Sequence, residues 1–186
     1  MDAFSYLSVL LSIIVGLAIT QVLQGYRAML LSRSRVKLYA PPLIWSVLLL
    51  LMATQGWWAS FGLVTHRDWT FAAFSVILLQ MIFLYMIAGV VLPDIVPGEP
   101  VDLRVHYRGE ITPLFTLLLA MLATSILKEW VLDSRLPTGG NLAFHGAFMV
   151  LAVIALAVRH PRMHEALAVL TAVLIGSYIA LLFATL

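Results

Sequence analysis

Cysteine is absent from this sequence, and charge is scarce, with eleven Lys and Arg and nine Asp and Glu among 186 residues. Without thiols there is no disulfide, no thiol nucleophile and no Cys-ligated metal or iron–sulfur centre. Charged residues make up 11% of the chain, against about 25% in soluble domains. Apolar residues reach 62% and the mean hydropathy is +1.02. A water-soluble fold of this composition exposes wide apolar patches and aggregates. Lipid is the solvent that fits. The small positive excess, +2 with a pI near 9.2, forms no basic stripe with interleaved aromatics, which argues against nucleic acid as a partner. Also missing is a basic stretch before the first apolar run, whose only early charge is Asp2. No small-x-small site closes that run, so the first segment is expected to stay in the mature protein.

What is present is a series of long apolar runs. A spanning helix needs roughly 20 mostly apolar residues, and six runs meet that need. The expectation is one all-α domain over residues 1–186, a polytopic six-helix membrane bundle with helices at about 3–31, 41–64, 69–92, 111–132, 141–158 and 163–186. Pro41 and Pro42 suit a first helical turn, where a missing N–H costs nothing. Lys128 is expected to snorkel outward from the end of the fourth run. Barrel strands are excluded, because they are about 10 residues long and alternate in polarity. The one long connection, 93–110, carries four acids, two arginines, a histidine and three prolines and reads as a stiff connector. Three helices per half suggest two inverted halves, the plan of many transporters. Residues 73–85 set against 166–178 pair Ala73 with Ala166, Val76 with Val169, Ile82 with Ile175 and Tyr85 with Tyr178.

Polar groups inside such runs are the functional candidates. Ser8, Ser12, Gly16, Thr20 and Gln24 recur every fourth residue, on one slowly drifting helix face. That spacing suits a packing seam, or the lining of a pore. Gln80 falls halfway along the third run and needs partners, with Thr54, Gln55 or the first-helix face as candidates. His145 lies a turn inside the fifth run, either a hydrogen-bonded core residue or a proton or ligand site. His106, His160 and His164 fall on one predicted side with Asp94, Glu99, Asp102 and Glu165, a weak metal-ligand set. Pro161 stands between His160 and His164, so those two need not share a face. Trp57, Trp58, Trp69 and Trp130 are expected to form one aromatic belt, and Trp45, Tyr26 and Tyr39 the opposite one.

No phosphate-cradling glycine loop is present, and no serine has a recognisable His and Asp arrangement beside it. An enzyme is therefore not expected, nor any cofactor. The runs FSYLSVLLSIIVGLAIT, WW, WT-F at Trp69–Phe71, VLPD at Val91–Asp94 and DLRVHY at Asp102–Tyr107 resemble a group of small six-helix bacterial inner-membrane proteins. The resemblance implies an inner-membrane location and brings no activity with it. The leading expectation is a small channel or transporter acting as a homo-oligomer. An accessory subunit of a larger membrane complex comes second, and a membrane metalloprotein or enzyme using the inner-side His and acids third. Orientation follows from charge. Arg27, Arg33, Arg35, Lys37, Arg104, Arg108, Arg159 and Arg162 fall on one side, and Arg67, Lys128 and Arg135 on the other. Basic residues near helix ends are retained in the cytoplasm, which places both termini on the non-cytoplasmic side.

Overall fold

The computed structural model describes residues 3–65, 68–96, 98–137 and 139–182. Six helices are long and apolar enough to cross a membrane, as an integral membrane protein requires. They are α1 (Ala3–Leu31), α2 (Ala40–Ala59), α3 (Phe71–Val90), α4 (Leu103–Asp133), α5 (Gly139–Ala157) and α6 (Pro161–Leu182). Arg67 and residues 183–186 lie outside the described residues.

Local chemistry explains the boundaries. The two prolines open α2, and the Thr70 hydroxyl accepts the Ala73 N–H at 3.1 Å to cap α3. Asp102 caps α4, its Oδ1 accepting the N–H groups of Arg104 at 2.9 Å and Val105 at 3.3 Å. This cap corrects the expected boundary. The fourth helix begins at Leu103 rather than near 111, and half of the supposed connector is helix. Pro113 and the charges before it masked that start. Pro113 lies inside α4, where the N–H it lacks leaves the Gly109 carbonyl without its helical donor. At 1.5 Å per residue α4 runs about 46 Å, well beyond a hydrocarbon core of about 30 Å. The helix is thus longer than one span needs, and its first turns carry Arg104 and Arg108. Ser134, in the left-handed region at φ 53°, ends the helix. The second run is also shorter than expected, because α2 gives way to a 3₁₀ turn, Ser60–Thr65.

The helices close into a ring in the order α1, α3, α4, α5, α6, α2, with α2 leaning inward against α3 and α4. Three connections share one end. Val36–Lys37 (β1) pairs in parallel with Val101–Asp102 (β2), and the Tyr39 hydroxyl donates to the Pro161 carbonyl at 3.4 Å. Those contacts tie the α1–α2 and α3–α4 connections to the start of α6. The two halves do not pack alike. The first and third helices of the first half lie along each other, whereas their counterparts α4 and α6 meet around Tyr107, Phe115 and His164. An inverted relation is not visible in the packing.

Candidate functional site

Inside the ring, between α2, α3, α4, α5 and α6, lies a narrow chamber of about 100 Å³. It adjoins a wider one of about 270 Å³, and the two share Gln55, Gln80, Ser125, His145 and Tyr178. Asp133 and Gly62, both exposed, belong to the wider chamber, so the mouth opens at the C-terminal end of α4. Lys128 and Glu129 flank that mouth. Lys128 thus lines the chamber, a correction to the outward snorkelling expected of it.

His145 is the most constrained polar group here, 6% exposed. Its Nδ1 lies 2.8 Å from the Asn141 carbonyl and its Nε2 3.0 Å from Ser125 Oγ. A carbonyl only accepts, so Nδ1 carries a proton, and in the neutral ring Nε2 accepts from the serine hydroxyl. Asn141 continues the chain of contacts. Its Nδ2 donates to Glu129 Oε1 at 3.0 Å, and its Oδ1 accepts from the Tyr178 hydroxyl at 3.2 Å. One network thereby joins α4, α5 and α6 along the chamber wall. Gln80 enters from α3, and its Oε1 is buried with no hydrogen-bond partner. An unsatisfied carbonyl oxygen costs about 1–3 kcal/mol, which a water or ligand donor in the chamber relieves.

A serine donating to imidazole is also how a nucleophile is activated. Here Ser125 and His145 both sit within helices, where backbone N–H groups are already bonded along the helix. Their own backbone N–H groups are thus not free to stabilise an oxyanion. The pair orders the chamber wall.

The opposite end is packed solid. Trp45 meets Phe115 edge-on with ring centroids 5.2 Å apart, and Phe115 lies 6.0 Å from the His164 ring. His164, 2% exposed, presents Nε2 to the Val158 carbonyl at 2.9 Å and Nδ1 to the Tyr107 hydroxyl at 3.0 Å. By the same reasoning Nε2 carries its proton and Tyr107 donates to Nδ1. Above them Tyr39 lies edge-on to Tyr107, under the Arg104 guanidinium, whose carbon is 4.7 Å from the Tyr39 ring centroid. Arg104 reaches Glu165 at 3.9 Å. Burial, then the Glu165 charge, holds the Tyr39 phenol above its ordinary range, against the pull of Arg104 and Arg108. Trp45 therefore belongs to the core and not to an interfacial belt. Trp57, Trp58 and Trp130 are exposed, and Trp69 is half-buried.

The first-helix polar face turns outward. Leu7, Leu11, Val15, Ala18 and Val22 form the buried face of α1, while Ser12, Gly16, Thr20 and Gln24 are exposed and Ser8 is half-buried. A Cβ on Gly16 would meet nothing within 4 Å. Most of the seam stays at the surface, because the wider apolar stripe of α1 takes the interior. Ser12 accepts from Trp57 Nε1 at 3.3 Å, Ser8 donates to the Ser5 carbonyl at 3.0 Å, and Thr20 donates to the Gly16 carbonyl at 2.7 Å. The close helix approach falls instead at Gly25, where a Cβ would come within 2.7 Å of Leu92. Thr54 is exposed and donates to its own Leu50 carbonyl at 2.9 Å, so of the partners expected for Gln80 only Gln55 shares its chamber. The three inner-side histidines do not converge. His106 meets the Val90 carbonyl at 3.1 Å, His160 is exposed, and His164 is bonded as above. Among the described residues no three His, Asp or Glu side chains gather as metal ligands would.

Ser125, Asn141, Glu129 and Tyr178 were not singled out by sequence, yet one signal points to the first pair. Ser125 and His145 lie equidistant from Arg135, in the short turn between antiparallel helices, which puts them at one level. Structurally this is an all-helical protein whose helices surround a mainly apolar chamber carrying a few polar groups. No protein-family model, curated protein or solved structure matches the chain.

Proposed function

We propose that this chain is an integral membrane transporter for a small solute carrying hydrogen-bond donors, caught open at the mouth and shut at the Trp45–Phe115–His164 end. The observation that carries this reading is a chamber that holds two buried polar atoms without a hydrogen-bond partner, Gln80 Oε1 and Trp45 Nε1, beside the bonded Ser125–His145 pair. Such a site accepts a donor from its guest and offers one in return. A chamber open at one end and filled by interlocked rings at the other suits alternating access better than a passive pore. Charge asymmetry puts the mouth on the non-cytoplasmic side and the packed end in the cytoplasm, in a bacterial inner membrane by the resemblance noted above. We read the chain as a carrier and not an enzyme, with no cofactor.

The absence of native cysteine makes the test direct. In sealed vesicles, Ser125→Cys is expected to react with a membrane-impermeant thiol reagent from the mouth side, while Leu114→Cys is not. In proteoliposomes, uptake of small neutral polyols or amines, followed by light scattering, should exceed that of empty vesicles and fall with Gln80→Leu. An unreactive Ser125→Cys together with no flux for either solute class overturns the reading. A second reading, an accessory subunit or homo-oligomer, is favoured by the outward Ser12, Gly16, Thr20 and Gln24 face. The native particle's mass in detergent decides it, a stoichiometric unlike partner pointing to a subunit.

A further inference from the structure

A third cavity, of about 310 Å³, lies between α1 and the end of α3, away from the chamber. Arg27 and Asp94 both line it, both are exposed, and neither makes an ion pair or hydrogen bond among the described residues. An unpaired cation and an unpaired anion facing one cavity are the complement of a zwitterion. Its floor is made of small residues, Gly25 and Ala28 on α1 and Ala88 and Gly89 on α3, and the space above Gly89 is open. Gln24, exposed and without a partner, sits about 4.5 Å inward of Arg27 along the helix axis and lines the same cavity.

We infer that this cavity is a phospholipid headgroup site that prefers phosphatidylethanolamine. The proposal rests on the membrane reading but not on transport through the chamber. Both charges stand at helix ends, Arg27 one turn before the end of α1 and Asp94 four residues after the end of α3, which is the headgroup level of a bilayer. Arg27 presents a planar fork to the phosphate, and the Asp94 carboxylate receives the ammonium N–H donors. The Gln24 amide faces the glycerol-ester level. Phosphatidylglycerol has no cation for Asp94. Phosphatidylcholine has a cation without N–H donors.

Native mass spectrometry in micelles containing equal amounts of the three lipids tests this. The protein is expected to retain phosphatidylethanolamine over each of the others by about fivefold, the worth of one interfacial charge. Asp94→Asn should abolish the preference, and Arg27→Gln should weaken retention of all three. Gln80→Leu, in the separate chamber, should leave lipid retention unchanged even if it stops flux. Soluble phosphoethanolamine should not displace the lipid. Equal retention of the three lipids, a preference surviving Asp94→Asn, or displacement by the soluble headgroup each overturns the proposal. Both variants alter exposed side chains, and an unchanged melting temperature shows that the fold is intact.

Discussion

His145 and His164 are both buried, both held by a backbone carbonyl, and both bonded to a hydroxyl on α4, yet they stand at opposite ends of the ring. His145 presents Nε2 to Ser125 in the wall of a chamber, with Tyr178 and Gln80 beside it. His164 presents Nδ1 to Tyr107 among Phe115, Trp45 and Tyr39. The tautomers are reversed because the backbone carbonyl that fixes each ring meets a different nitrogen: Asn141 O takes Nδ1 of His145, and Val158 O takes Nε2 of His164. One residue type thus lines a chamber at one end and packs among aromatic rings at the other. The difference lies in packing density and not in the histidine itself.

The sharpest way to break this comparison is to empty each end. Phe115, 1% exposed between Trp45 and His164, should cost about 3–5 kcal/mol as Phe115→Ala. Phe148→Ala, bordering the existing chamber, should cost clearly less in the same detergent unfolding experiment. Equal losses would mean that both ends are equally packed.

Removing the hydroxyl partners makes the next contrast. Tyr107→Phe strands His164 Nδ1 in a dry site and is expected to cost about 1–3 kcal/mol. Ser125→Ala leaves His145 Nε2 facing a chamber that admits water, so its loss should stay below about 1 kcal/mol. The order of the two melting temperatures checks this, and a reversal would put the water at the other end.

A pair of glycines on α1 sharpens where the helices truly meet. Gly25→Ala must displace Leu92 and should cost about 1–3 kcal/mol, because Leu92 Cβ, which no rotamer change moves, would lie 2.9 Å away. Gly16→Ala meets nothing and should be neutral or slightly stabilising, by up to about 1 kcal/mol from helix propensity. A large loss at Gly16 would show that a second molecule covers that face.

The smallest effect concerns the packed end in alkali. The Tyr39 phenol is held above its ordinary value of 10.0 by burial and by Glu165. A proton bound more tightly in the folded state adds stability that is intact below pH 10 and is lost as pH rises through the folded value. Tyr39→Phe should therefore flatten part of the decline in melting temperature above pH 10, while Ser125→Ala should not.

Much of the frame was legible in the sequence. Six apolar runs require six helices, because a backbone in lipid must satisfy its own hydrogen bonds. Gln80 and His145 stood out because polar groups in such runs are costly. The start of α4 was hidden by Pro113 and by the charges around Arg104, since hydropathy does not register a capping aspartate. The Ser8-to-Gln24 face was visible as a pattern, but spacing does not say which of two faces turns inward, and the wider leucine and valine stripe took the interior.

Composition and periodicity, then, determined the number of helices long and apolar enough to cross a membrane and the residues that are costly to leave unpaired, since each of these follows from the free energy of burying local groups. The order of the ring, the meeting of Tyr107 with His164 across 57 residues, and the choice of which end is hollow and which is filled were decided only in the tertiary structure. They depend on which side chains interlock between helices distant in sequence, and no local pattern carries that information.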